Sequence, residues 1–307
     1  MARPVKQNAP APSALPAFLD SVLNQYQRIE FLASDPLEYL HLCARRPDRD
    51  LWDQECVAVL SALLAYGNVK QIRASIAELL RRMDQGGGPA RWVREVGGQA
   101  GSLAGFKHRF QTGTEMEALL VLLQRSWRDY GSLGAHFLSG DPELAQGVPG
   151  RTIERALTHL LADWKDWAKS DPRTRTLGFA HLLASPVGGS ACKRWCMLLR
   201  WLGRSDQLDL GLWGPASGLF HGSEVSRGGG LRPAALIIPL DTHLARISRQ
   251  LKLSRRKSAD WKMALEVTAR LRAMDPNDPI KYDFALCRLG MFSSRRLAAS
   301  GRRQAHS

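Results

Sequence analysis

Apolar residues recur along this chain at the three-and-four spacing of an amphipathic helix, with polar residues between them. Phe18, Leu19, Val22, Leu23, Tyr26 and Ile29 share one face of a first predicted helix. The stretch from about Asp53 to Tyr66 predicts a second, with Val57, Leu60 and Leu64 inward and Gly67 as its stop. Ile72, Ile76, Leu79, Leu80 and Met83 mark a third, ended by Gly86-Gly87-Gly88. Met116, Leu119, Leu120, Leu123 and Trp127 mark another, closed at Tyr130-Gly131. Ile153, Leu157, Leu160, Leu161, Trp164 and Trp167 follow the same rule. Only the run Ala234–Ile238 reads as a strand, and no repeat of 20–50 residues is visible. The pattern predicts an all-α fold.

Between the periodic segments, residues 1–17 carry four prolines and no apolar signal core, which predicts a disordered leader. Gly, Ser and Arg dominate residues 214–234, the signature of a mobile surface insertion. Residues 294–307, with Arg295, Arg296, Arg302 and Arg303, predict a basic disordered tail. An apolar fraction of 44% with 23% charged residues suits a globular protein, and no apolar run approaches bilayer length. The five cysteines are odd in number and scattered, as expected of free thiols in a reducing compartment. Cys192 and Cys196 have no second pair to complete a tetrahedral site, so no metal and no cofactor is expected. These features together predict a cytoplasmic monomer that makes no use of a membrane.

Charge changes the picture. The formal net charge is +14, and residues 188–307 hold 21 Lys/Arg against 9 Asp/Glu, while residues 1–187 hold 22 against 20. So lopsided a basic surface attracts a polyanion through steering and counterion release. It favours nucleic acid without separating DNA from RNA.

Two local features can carry chemistry. In Ser185-Pro186-Val187-Gly188-Gly189-Ser190, followed by Lys193, Arg194 and the helical Trp195–Trp201, a glycine hairpin opens a helix. Free N–H groups at such a start, reinforced by the helix dipole, can seat a phosphate. The second feature is the run Pro239-Leu240-Asp241-Thr242-His243, where Asp241 falls at an N-cap and Leu244, Ile247 and Leu251 continue as an apolar stripe. Position alone argues for a helix cap.

The run PLDTHLARISRQL resembles the V-D-T-H-V-x-R-[IV] segment of the helix-hairpin-helix (HhH-GPD) DNA glycosylases, the superfamily of endonuclease III and the 8-oxoguanine glycosylases. The order hairpin, Lys193, Asp241 also resembles that superfamily, and GSACKR, DLGLW, PLDTH and DPNDPIKYDFALCRLG together resemble a bacterial family distantly related to it. The likeness covers most of residues 50–290. The 48 positions from Lys193 to Asp241 are longer than in endonuclease III and resemble the lengthened connection of the archaeal 8-oxoguanine enzymes. Endonuclease III's iron–sulfur cysteines have no counterpart, since Cys287 stands alone.

The resemblance implies a two-lobed helical fold with a central cleft. Residues 50–200 would form a six-helix barrel lobe ending in the hairpin, and residues 201–293 a second lobe against which the helix of residues 18–49 packs. It implies nucleoid-associated excision of a damaged base, an oxidised purine in the archaeal branch, from double-stranded DNA. Asp241 would stabilise the oxocarbenium-like transition state, and Lys193 would be the nucleophile of a glycosylase/lyase. Without that lysine, Asp241 would activate water. Gly188, Gly189, Ser190, Arg194, Arg200, Arg204, Arg246, Arg249 and the run 255–257 are expected phosphate contacts. Trp195, Trp201, Trp213 and His243 are expected near the pocket for a flipped base. Two alternatives stay open: a DNA-binding protein without the chemistry on the same scaffold, and an RNA-binding helical protein.

Overall fold

A computed structural model describes residues 10–215, 217–220 and 229–291. The chain is all-α, with helices α1 Leu15–Tyr26, α2 Leu37–Ala44, α3 Leu51–Leu63, α4 Val69–Gln85, α5 Pro89–Glu95 and α6 Gly113–Tyr130 in its first part. Then follow α7 Leu133–Ser139, α8 Pro142–Gln146, α9 Glu154–Ala168, α10 Leu177–Leu182, α11 Lys193–Gly203, α12 Thr242–Gln250 and α13 Trp261–Arg272. A last helix, α14, covers residues 283–291. No helix among the described residues is long and apolar enough to cross a membrane.

Local chemistry explains most helix ends. Asp50 caps α3 by accepting from the Asp53 backbone N–H at 2.8 Å, and the Asp53 carboxylate returns the bond at 3.0 Å. This capping box starts the helix two residues before the apolar pattern does, and the helix stops three residues before Tyr66, ahead of Gly67 at φ +101°. Helix α6 runs to Gly131, whose φ of +85° suits glycine alone.

Several expectations are corrected. Residues 12–17 are helical and not disordered, for a 3₁₀ turn at Pro12–Ala14 leads into α1, which begins at Leu15 and buries it with Leu19 and Val22, while residues 1–9 lie outside the described residues. Ile29 lies outside that helix, in a 3₁₀ segment, and is exposed. The run Ala234–Ile238 is buried but is not a strand: a 3₁₀ turn at Pro233–Ala235 leads into extended chain. Its polar groups find partners elsewhere, with Thr268 Oγ1 accepting from Ile238 N–H at 3.1 Å and Ile153 N–H donating to Ala235 O at 3.1 Å. Among the described residues, the strands are two short pieces at Lys107–His108 and Gln111–Thr112, an antiparallel pair too brief to show a period. The described flanks of the 214–234 insertion pack inward, for Leu219, Phe220 and Leu231 are buried. The rest of that segment and the 294–307 tail lie outside the described residues.

Helices α3 and α11 are buried on nearly all sides. Inside α3, Glu55 is fully buried and accepts four hydrogen bonds. Two come from the indoles of Trp127 (2.6 Å) and Trp213 (2.7 Å), and two from the Leu133 and Gly134 backbone N–H groups (2.9 and 3.0 Å) at the start of α7. Burial pushes its carboxyl above the ordinary range, and the four donors oppose that shift. A Cβ on Gly134 would lie 2.8 Å from the Trp213 indole, so this approach requires glycine. The N-terminal segment meets the C-terminal one through Tyr282 to Asp20 (2.7 Å), Arg288 to Asp35 (3.2 Å) and His41 to the Leu208 carbonyl (2.6 Å). Glu55→Ala strands four buried donors and is expected to cost about 3–5 kcal/mol. Chemical denaturation of wild type and variant measures this, and a loss below about 1 kcal/mol would contradict the hub role.

Candidate functional site

Asp241 has extended backbone and caps α12, its Oδ1 accepting from Leu244 N–H at 2.7 Å. Its other oxygen turns to α14, where the Cys287 thiol lies at 3.6 Å from Oδ2. The helices can approach this closely because Gly290 lacks a side chain: a Cβ there would come to 3.1 Å from His243 Cβ and 3.2 Å from Ile247 Cγ1. Arg246 fastens the crossing by donating to the Gly290 carbonyl at 2.6 Å.

Lys193, the first residue of α11, is half-buried, and its Nζ lies 3.3 Å from Met197 Sδ. Asp283 and Cys287, one turn apart on α14, feel both distant residues. The Asp241 charge pushes their values upward, and the Lys193 ammonium pulls them down. Lys193, Asp241, Asp283 and Cys287 therefore share one electrostatic neighbourhood, although 48 positions separate the first two. Burial dominates at Asp283 and raises its carboxyl to about 6 despite the hydrogen-bonded Arg200 guanidinium. Burial likewise raises the Cys287 thiol well above its usual value, so it is a thiol at neutral pH.

Several expected nucleic-acid contacts are corrected. Arg194 is buried and donates to the carbonyls of Leu63 (2.6 Å) and His181. Buried Arg200 pairs with the buried Asp283 and Asp209, and buried Arg204 pairs with Asp209 and with Asp206 and Asp278 nearer the surface. A guanidinium already matched to buried carboxylates is not available to phosphate. Trp195, Trp201 and Trp213 are core residues, each 1% exposed or less, so none lines an open pocket. The hairpin N–H groups of Gly188 and Gly189 close its own turn onto Ser185 and Pro186 (3.1 and 2.8 Å) instead of pointing outward. Ser190 Oγ accepts from Cys192 N–H at 3.2 Å.

The hairpin tip is nevertheless outward, with Val187, Gly188 and Gly189 exposed. Its base is tied to the start of α13 by Trp261 N–H to Gly189 O (3.2 Å). The basic run 255–257 sits beside it, because Arg256 bonds Asp260 (2.7 Å) and half-buried Arg249 donates to the carbonyls of Arg256 and Lys257 (2.8 and 2.7 Å). Lys252, Arg255, Lys257 and Lys262 are exposed along the segment that runs from the end of α12 into α13. His243 is half-buried on the first turn of α12 beside Gly290.

Sequence reasoning missed Asp283 and Cys287. Their signal was present in DPNDPIKYDFALCRLG, where the four-residue spacing puts both on one helical face.

Residues 35–292 match the model of the family described as "Protein of unknown function (DUF2400)". The chain belongs to that family. No curated protein and no solved structure matches it significantly.

Relative to the unfolded chain the fold favours protonated Asp283, although at neutral pH the group is mostly ionised and paired with Arg200. Its contribution is complete below the unfolded value near 3.8 and is lost as pH rises through about 6. Following the Asp283 carboxyl carbon by NMR should give a midpoint near 6. A midpoint below 4 would show that Arg200 outweighs burial.

Proposed function

We propose that this chain is a base-excision DNA glycosylase that removes a damaged base, an oxidised purine, from double-stranded DNA. The observation that carries this reading is the Asp241 carboxylate fixed at the start of α12, its second oxygen facing Cys287 on α14. The PLDTH resemblance supplies the reaction class.

Leaving of the base builds positive charge at C1′, and the Asp241 carboxylate, fixed in advance by its cap bond, stabilises it there. Lys193 first gives its ammonium proton to solvent, and the free amine then places its electron pair on C1′ as the C1′–N bond breaks. The base leaves with that bond's electrons and takes up a proton, and ring opening gives a Schiff base. The helices of residues 50–200 form one lobe of this reading, and the N- and C-terminal helices form the other, with the duplex across the cleft between. The cations that meet phosphate are Lys252, Arg255, Lys257 and Lys262 along the segment from the end of α12 into α13, and DNA binding holds the protein at the nucleoid.

Borohydride treatment with an 8-oxoguanine duplex is expected to trap a covalent adduct with wild type and none with Lys193→Gln. Asp241→Asn is expected to abolish base release while leaving the circular dichroism spectrum and melting temperature near wild type. Base release unchanged in both variants would sink the mechanism.

Charge reversal of Arg255 and Lys257 together is expected to weaken duplex binding at least tenfold at low salt. It should also reduce the salt slope by roughly 2, for two lost phosphate contacts. An unchanged slope would place the duplex elsewhere on the molecule.

A further inference from the structure

Away from this site, α7 and α9 bring together two histidines and a carboxylate that the glycosylase reading does not use. His136 lies on α7, and His159 and Asp163 lie one turn apart on α9. Their ligand atoms all fall within 4.8 Å of one another. Asp163 Oδ2 is 3.0 Å from His136 Nε2 and 3.6 Å from His159 Nδ1. Zinc holds nitrogen and oxygen donors at about 2.0–2.1 Å in a tetrahedron, which separates neighbouring donors by about 3.3 Å. The two observed separations straddle that value.

The surroundings orient the ligands. The His136 ring is fully buried between the rings of Tyr130 and Trp167, at centroid distances of 4.1 and 5.0 Å. Its Nδ1 lies 2.9 Å from Ser126 Oγ, which donates to the Leu122 carbonyl at 3.1 Å and accepts from Trp164 Nε1 at 2.9 Å. In the tautomer with the proton on Nδ1, the ring donates to the Ser126 hydroxyl and Nε2 presents a lone pair toward a carboxylate oxygen 3.0 Å away, the arrangement a shared cation needs. A metal-ligating imidazole is usually held in this way, its far nitrogen donating to a fixed acceptor. Gly140 completes the fit: a Cβ there would come within 2.7 Å of His159 Cβ. His159 and Asp163 are partly exposed, which leaves an entry path and room for water as a fourth ligand.

We propose that His136, His159 and Asp163 bind one divalent transition-metal ion, with zinc the best match to two imidazoles and a carboxylate in tetrahedral order. The ion would clamp α7 to α9. Through Trp164, which packs edge-on against Trp195 at 5.6 Å, the clamp also reaches the helix that carries Lys193.

The untagged full-length chain, stripped with chelator, can be titrated with cobalt(II) and then zinc(II). The expected result is one equivalent of cobalt with the visible absorption of a four- or five-coordinate ion, displaced stoichiometrically by zinc. His159→Ala and Asp163→Ala, at partly exposed positions, are each expected to weaken binding by at least about tenfold. Zinc should raise the melting temperature of wild type and not of either variant, while the metal-free melting temperatures of all three stay close. Absence of binding, equal affinity in both variants, or a thiolate-to-cobalt charge-transfer band reporting cysteine ligands would each overturn the proposal.

Discussion

A small cluster of opposite charges, sealed between α11 and the C-terminal segment, holds the proposed catalytic face in place. Arg200 lies in the last turn of α11 and Arg204 directly after its end, and both are almost without solvent contact. Arg200 reaches Asp283 at the start of α14 and Asp209 in the loop after α11. Arg204 reaches the same Asp209 and, through two nitrogens, Asp278 at 2.8–3.0 Å. Taking such charges out of water costs several kcal/mol per ion, and removal of one partner leaves the others uncompensated. The network is therefore all-or-none. It fixes α14, which carries Asp283 and Cys287, against α11. The close Gly290 crossing then brings the same face of α14 to Asp241.

The network also redistributes the meaning of the basic charge. The C-terminal part of the chain is strongly cationic in sequence, but its α11 arginines are consumed by internal carboxylates and carbonyls. Among the described residues of this part, exposed cations remain on Lys252, Arg255, Lys257, Lys262 and Arg270. A long-range field depends on net charge, whereas a phosphate contact depends on which cations keep their water. Counting charges in sequence estimates the first and says little about the second.

Glu55 plays a comparable part in the other half of the fold. One carboxylate gathers indoles from α6 and from the segment after α11, together with the opening N–H groups of α7. The dipole of α7 adds to its stabilisation. Placement of α7 matters further on, because the same short helix carries His136 toward His159 and Asp163. Both buried acids are thus structural: Glu55 orders the helices around α3, and Asp283 orders those around α11.

Much of this was legible in the chain itself. Apolar periodicity determined α4, α6 and α9 nearly to their ends, because an amphipathic stripe and a glycine stop are local properties. The Asp241 cap was equally local, and the Leu244 bond realises it. Tertiary structure alone decided which polar residues are interior. Arginine on a helix reads as a surface cation, and it takes the distant carboxylates of Asp278 and Asp283, with nearby Asp209, to make Arg200 and Arg204 core residues. It likewise decided that Ala234–Ile238 is buried without being a strand, since burial came from α13 and the start of α9 and no neighbouring strand was supplied. The joining of Asp241 and Cys287, and of His136 with His159, belongs to the same class. Residues far apart in sequence meet only where packing brings their helices together, and no local pattern encodes that meeting.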